Sequence, residues 1–287
     1  MMDMPFQRIA VVGLGLIGGS LVKSFRHRVP KCKLIGVDSR AILDAAQEYL
    51  DEAFEPEKLA HAVQDADLIF LATPMNTILQ QLPEVAHSIR RGAVATDVGS
   101  TKSLILAEAQ KHFTGERFFI GGHPLAGREK GGWENAQADL FENATYVLTP
   151  PSNFPAHLID ALTQLLQTLG VRVIELDPVT HDRLVADISH LPQLLAIALM
   201  NFIARETAPA ELSLQLAAGG FRDMTRLAAS PFEIWKDILG SNSANVRKNL
   251  QEFIVTLQQL AQAFDSDDLE RYFQQANWLR ENLATLR

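Results

Sequence analysis

The sequence predicts an α/β protein with a doubly wound parallel sheet in its first half and an all-helical domain in its second. Three observations carry that expectation. A glycine-rich turn joins a β-branched run to a helical pattern near the N-terminus, apolar runs and helical stretches alternate from residue 8 to about 125, and nearly everything beyond Pro178 has helical periodicity. Asp177-Pro178 is read as the boundary, giving an α/β domain over 1–177 and a helical domain over 178–287.

Arg8 to Val12 reads RIAVV and feeds into Gly13-Leu14-Gly15-Leu16-Ile17-Gly18, after which Ser20, Leu21, Val22 and Phe25 keep helical spacing. This is G-x-G-x-x-G in the strand-turn-helix setting of a Rossmann-type domain. The glycines permit a tight turn, close approach of backbone to a pyrophosphate, and close packing of helix on strand, while the helix N-terminus faces the phosphates. A second strand, Leu34 to Val37, ends at Asp38, twenty residues past Gly18, with Ser39 and Arg40 following. A carboxylate there accepts from both ribose hydroxyls and would repel a 2′-phosphate, which favours NAD over NADP. Arg40 keeps NADP open, because a guanidinium can pair with that phosphate. A glycine turn that merely packs is the plain alternative.

Further strands are expected over Asp67 to Pro74, whose Thr73-Pro74 end is assigned to the cofactor rim, and over Ala93 to Val98. The latter opens into Asp97-Val98-Gly99-Ser100-Thr101-Lys102 ahead of a helix from Leu104 to Lys111, placing Asp97 and Ser100 beside the cofactor. Ser100 also fits the ordinary role of a helix N-cap. Phe118 to Ile120 then reads as a buried parallel strand ending at Gly121-Gly122 and delivering His123, followed by Pro124 and the turn Ala126-Gly127. Open α/β sheets bind ligands at such strand ends, and a neutral imidazole there is a natural proton acceptor near pH 7. A hydrogen-bonded structural histidine is the alternative.

In the second half, Tyr146 to Leu148 and Val171 to Leu176 are expected as final strands around a helix from about Ala156 to Leu169. His181 to Ala204 is one long pattern, apolar over most of its circumference. A helix of that kind must be buried on all sides, which a domain this small achieves most easily by wrapping around a second copy. Pro192 implies a kink that turns His190 off the regular face. Ser213 to Ala218 leads through Gly219-Gly220 to Arg222 and Arg226, four apart and so on one helical face, a compact site for a small carboxylate. Trp235 lies on a following helix, and the amphipathic helices Ser243 to Phe264 and Asp267 to Leu286 read as scaffold.

Composition narrows the function. The chain of 287 residues is 47% hydrophobic and 21% charged, with net charge −8, so nothing suggests an electrostatic hold on nucleic acid or anionic lipid. The single cysteine, Cys32, leaves neither an intrachain disulfide nor a thiolate metal cluster. No apolar run is read as a signal peptide or membrane span, so a cytoplasmic protein is expected.

Gly13 to Gly18, Asp97-x-x-Ser100-x-Lys102, Gly121-Gly122-His123-Pro124-Leu125-Ala126-Gly127, Ser189-His190-Leu191-Pro192 and Gly220-Phe221-Arg222-Asp223-Met224-Thr225-Arg226 occur in order in one chain. Together they resemble the prephenate and arogenate dehydrogenases of tyrosine biosynthesis over nearly the whole length. The resemblance implies NAD-dependent oxidative decarboxylation of prephenate to 4-hydroxyphenylpyruvate, of arogenate to tyrosine, or both, by an intertwined homodimer. It implies that His123 takes the proton of the ring hydroxyl, that Ser100 holds His123 and the hydroxyl in register, and that Arg226 grips the ring carboxylate. Gly219, His190 and Trp235 then fall in the substrate pocket, Trp235 from the partner subunit. No metal is needed, since aromatisation drives loss of hydride and CO2.

Two positions depart from the family pattern. Arg128 stands where threonine or serine is common, and Gln193 where a second histidine is common. Gln193 could donate a hydrogen bond to the substrate side chain. Arg128 adds a cation at the pocket mouth that would favour the dicarboxylate prephenate, unless it is a solvent-facing residue paired with Glu129 or Asp182. Two other readings compete. One is a β-hydroxyacid dehydrogenase or pyrroline carboxylate reductase on the same two-domain plan, although many of those use a lysine in the helical half and none is suitably placed here. The other is a catalytically inactive NAD-binding sensor.

Overall fold

The computed structural model describes residues 6–128, 130–206 and 214–285. Eight strands form one sheet: β1 (Arg8–Val12), β2 (Lys33–Val37), β3 (Glu52–Phe54), β4 (Leu68–Leu71), β5 (Val94–Asp97), β6 (Phe118–Pro124), β7 (Thr145–Thr149) and β8 (Arg172–Glu175). Their spatial order is β3-β2-β1-β4-β5-β6-β7-β8. The strands are parallel from β3 to β6, β7 runs antiparallel to β6, and β8 is again parallel to β7. The order reverses between β1 and β4, the switch point at which such sheets open a crevice.

Side chains alternate across the strands and divide the interior in two. Ile9, Val11 and Phe70 pack with Leu21 and Phe25 of α1 (Leu16–Arg28) on one face. Ala10, Val12, Ile69 and Leu71 pack on the other with Ile78 and Leu82 of α4 (Met75–Ser88) and Ile105 of α5 (Ser103–His112). Strands apolar on both faces are what a sheet covered on both sides requires. The helices between are α2 (Arg40–Ala46) and α3 (Leu59–Val63), and α6 (Ala156–Gln167) joins β7 to β8.

Two expectations need correction, and one strand lies beyond what the sequence shows. The run from Asp67 to Pro74 is a strand only over Leu68–Leu71, because Pro74 already begins α4 as its N-cap residue. The edge strand β3, three residues long, has too little pattern to be read from sequence. The strand through Ile120 does not stop at the two glycines. It continues to Pro124, parallel to β5 over its first three residues and antiparallel to β7 over its last four, so His123 sits within it opposite Val147. A Cβ on Gly122 would lie 2.5 Å from the Asp97 carbonyl oxygen, so glycine is what lets β6 press against the end of β5.

The second half is helical. Asp177 caps α7 (Pro178–Val185) by accepting from Val179 and Thr180 N–H groups, with Pro178 in the first turn where its missing N–H costs nothing. The helix passes through a π turn at Ala186–His190 into α8 (Leu191–Glu206). Pro192 has no N–H to donate, and its ring would crowd the Ile188 carbonyl in a regular helix. The expected kink therefore takes the form of one wide turn just before the proline. Then come α9 (Gly219–Thr225), a 3₁₀ turn at Arg226–Ala229, α10 (Phe232–Ser241), α11 (Ser243–Gln262) and α12 (Asp268–Thr285). Ser213, expected to start the segment before α9, lies outside the described residues.

The run Pro178–Arg205 is, by length and composition, apolar enough to cross a membrane, contrary to the expectation that no such run exists. One side of it holds buried His181, Asp182, His190 and Gln193, which join the site below. Its other side exposes Ile188 and Phe202 in the single chain, and the supposed scaffold helices likewise expose Ile254, Phe273 and Leu279. Apolar exposure on this scale marks a surface that another body covers.

Candidate active site

The glycine turn has the shape a pyrophosphate needs. Gly13 adopts φ of +91°, and a Cβ on Gly18 would fall 1.8 Å from the Gly13 carbonyl oxygen, so neither position accepts a side chain. Space within 4 Å of the Gly15 Cβ position is open. No side chain caps α1 and no acidic residue occupies its first turn, leaving its N–H groups to an anion. Leu16 and Ile17 are half-buried in that turn, and Thr73 lies against Gly13. Asp38 closes the far end: its carboxylate accepts the Leu14 and Ser39 N–H groups, both at 2.6 Å. Arg40 is exposed and paired with Asp44. These residues fit a dinucleotide.

Asp97 has a bracing role within the nucleotide half. It is fully buried, with its carboxylate ion-paired to Lys102 and accepting from the Gly99 N–H at 2.8 Å and the Gly122 N–H at 3.2 Å. Lys102 Nζ also donates to the Gly122 carbonyl at 2.7 Å. The pair therefore braces the β5 loop against β6, directly beneath His123. Burial pulls the Lys102 pKa down, and the Asp97 carboxylate opposes that.

His123 is 8% exposed and meets the helical half through its ring. Its Nδ1 lies 2.9 Å from His181 Nε2, and His181 Nδ1 lies 2.8 Å from Asp182 Oδ1. Asp182 in turn accepts the Lys102 N–H at 2.7 Å and the Ser103 N–H at 2.9 Å. The N-terminus of α5 is thus capped from the other half of the chain. Ser100 is neither that cap nor a partner of His123: it is half-buried at the end of β5 and makes no hydrogen bond among the described residues. Burial, then the cationic forms of His181, Lys102 and His190, hold the His123 pKa well below the ordinary imidazole value, so its ring is neutral.

The other expected residues gather on the helical side. His190, buried in the π turn, has Nδ1 3.3 Å from Asn242 Nδ2 and meets Trp235 edge-on at 5.9 Å between ring centroids. Burial lowers its pKa to about 4. Gln193 is also buried, and its Nε2 donates to the Leu227 carbonyl at 2.9 Å. That bond uses one of the two Nε2 hydrogens, so it does not exhaust the expected donor, and Oε1 is an acceptor without a partner among the described residues. That bond draws the Arg226–Ala229 turn onto α8, and Gly219 opens α9 beside it. Helix α9 ends at Thr225, so Arg222 and Arg226 do not share one continuous α-helical face. Arg128 is exposed; Asp182, one of its expected partners, is committed to α5, and Glu129 lies outside the described residues.

Sequence reasoning passed over His181, Asp182, Lys102 and Asn242 as site residues. The available signal was a His-Asp pair opening an otherwise apolar helix.

A glycine cradle at a sheet switch point, with a buried neutral histidine where a helical domain docks, defines a two-domain nicotinamide-dinucleotide dehydrogenase. Residues 21–175 match the family described as prephenate dehydrogenase, nucleotide-binding domain, and residues 177–280 match its dimerization domain. The chain belongs to the prephenate dehydrogenase family. It is 33% identical over 282 residues to the prephenate dehydrogenase of Bacillus subtilis, covering 96% of this chain and 76% of that protein. Among solved structures, Synechocystis arogenate dehydrogenase matches with TM-score 0.83 at 35% identity, covering 96% of this chain and 99% of that one. Prephenate dehydrogenase from A. aeolicus, in complex with hydroxyphenyl propionate and NAD+, matches with TM-score 0.89 at 28% identity, covering 98% and 99%.

Proposed function

We propose that this chain catalyses the NAD-dependent oxidative decarboxylation of prephenate, arogenate or both in tyrosine biosynthesis, as a cytoplasmic homodimer. The observation that carries the reading is the buried, neutral His123 where the C-terminal ends of β5 and β6 meet the helical domain. NAD, when bound, supplies the hydride acceptor.

His123 takes the proton of the substrate hydroxyl as hydride leaves the same carbon, and returns it once the ring has become aromatic. The electrons of the breaking carbon–carboxylate bond enter the ring, and CO2 departs. Arg226 holds that carboxylate by two parallel hydrogen bonds, and Ser100, which makes no hydrogen bond among the described residues, meets the hydroxyl. Gly13, Gly15, Leu16, Ile17 and Gly18 hold the pyrophosphate, Asp38 and Ser39 the adenosine ribose, and Thr73 and Pro74 the rim. His190, Gly219 and Trp235 shape the substrate side of the pocket. The exposed apolar faces of α8, α11 and α12 are what the second copy covers, and the division of labour falls at residues 177 and 178.

Substrate choice rests on two residues of opposite leaning. Exposed Arg128 favours the extra carboxylate of prephenate, whereas Gln193 Oε1 can accept from the side-chain ammonium of arogenate. The test is a near-ultraviolet assay of nicotinamide reduction with both substrates and both cofactors. Turnover of either cyclohexadienol with NAD, with one CO2 per reduced nicotinamide, is expected. Binding of NAD without turnover of either would identify a sensor, and turnover of simple β-hydroxyacids would identify the other two-domain dehydrogenases.

A further inference from the structure

We infer that His181 and Asp182 are positioning residues that form a histidine-carboxylate relay behind His123, fixing its tautomer so that Nε2 carries the lone pair offered to substrate. This rests on the reading of His123 as the base.

With the His181 ring neutral, as the relay requires, the hydrogen bonds leave one consistent assignment of protons. Asp182 is buried, which favours its neutral acid, yet hydrogen bonds from His181 and from the Ser103 and Lys102 N–H groups outweigh burial and lower its pKa. It is therefore a carboxylate and only accepts. His181 Nδ1, at 2.8 Å from it, must carry a hydrogen. In a neutral His181 ring Nε2 is then the acceptor, and the atom 2.9 Å away, His123 Nδ1, must be the donor. A neutral imidazole protonated on Nδ1 has its lone pair on Nε2. The two rings are inclined at 74° with both faces of the relay buried, so neither ring turns over without breaking a buried bond.

The charges around the relay agree with that role. The groups facing His123 are Lys102 ahead of α5, Asp97 on β5, Tyr146 on β7, His181 and Asp182 on α7, and His190 in the π turn. Lys102 and Asp97 form an ion pair and compensate one another. The Tyr146 phenol stays neutral because burial, then Asp97, raises its pKa far above 10. His190 is neutral above about pH 4. What remains is the Asp182 carboxylate, conducted to His123 through one imidazole. When the substrate O–H bond breaks and the proton bonds to Nε2, the Nδ1–H bond to His181 strengthens and Asp182 offsets the new positive charge. No other reactant is involved.

The relay also crosses the molecule twice. His123 belongs to the nucleotide half, His181 and Asp182 to the helical half, and the Asp182 carboxylate returns to the N-terminus of α5 in the nucleotide half. Because Asp182 caps a helix, substituting it would mix two effects, and His181 is the residue to vary.

The experiment compares His181→Phe, which fills the space without an acceptor, with His181→Gln, whose amide oxygen can accept from Nδ1. In His181→Phe, kcat is expected to fall about 100-fold with KM for both substrates within about 3-fold, since loss of an orienting partner costs roughly 10²- to 10⁴-fold in comparable sites. His181→Gln is expected to recover to within about 10-fold of the parent enzyme. The acid limb of the kcat profile should move to lower pH in His181→Phe, because an Nδ1–H without an acceptor makes the imidazolium harder to form. A shift to higher pH would show that His181 acts on His123 only as a like charge, and an equal loss in both variants would show that it only fills space; either overturns the relay. Should His181→Phe fail to fold, ring ¹⁵N NMR of the unsubstituted protein decides without substrate. His123 is expected as the Nδ1-protonated tautomer, and the Nε2-protonated form overturns the proposal. That measurement stands even if neither cyclohexadienol is turned over, so failure of the relay and failure of the functional reading are told apart.

Discussion

The two ends of the crevice are built from opposite materials. At the nucleotide end the working surface is backbone: glycines that exclude side chains, uncapped N–H groups of α1, and one carboxylate, Asp38, pinned to the turn. At the reacting end it is side chains from distant parts of the chain, with His123 reaching His181 and Asp182 across the domain boundary, and Asn242 tying Asp182 to His190. A backbone cradle tolerates change in everything except size. A side-chain chain tolerates size but not the loss of a donor or acceptor.

That contrast sets the expected effects. The largest belongs to the reacting end: His123→Asn removes the base, and kcat should fall roughly 10²- to 10⁴-fold, or about 3 to 5 kcal/mol of barrier, with NAD affinity nearly unchanged. A fall in NAD affinity of the same size would merge the two regions into one. The cradle should fail on size alone. Gly18→Ala puts a methyl 1.8 Å from the Gly13 carbonyl, and overpacking of this kind costs about 1 to 3 kcal/mol, so NAD dissociation by calorimetry should weaken by roughly 10- to 100-fold. Arg226→Lys keeps charge and loses the planar fork, so KM should rise by about 10-fold while kcat moves by less than about 3-fold.

Acid acts on the fold itself. His123 and His190 have pKa values in the folded state below the ordinary imidazole value of 6.5, His190 at about 4. The unfolded chain therefore binds protons below about pH 6.5 that the folded chain refuses, and stability falls as pH drops from there toward 4. Each fully titrating histidine adds a slope of about 1.4 kcal/mol per pH unit. Denaturant unfolding of His190→Asn should show a shallower slope over that window; an unchanged slope would mean that His190 is protonated in the native state.

The same contrast explains what could be read from sequence. The cradle was legible because glycine spacing and an acidic residue at a strand end are local, as was Pro192 as a helix fault. His123 was legible through its glycine and proline neighbours, though β6 continues past them because it exchanges partners from β5 to β7, a tertiary fact. Ser100 as a cap failed, and the bracing role of Asp97 stayed hidden, for a related reason. The α5 N-terminus is satisfied by Asp182, eighty residues away, and Asp97 is claimed by Lys102 and Gly122. Partners at such separation leave no periodicity behind.

The most direct test is a crystal structure of the chain with NAD and a hydroxyphenyl propionate bound. The phenol oxygen is expected within about 3 Å of His123 Nε2, with the ring carbon that bears it facing the nicotinamide and Arg226 at the opposite end of the ring. A phenol oxygen remote from His123, or a His123 whose Nε2 faces protein instead of ligand, would contradict the account.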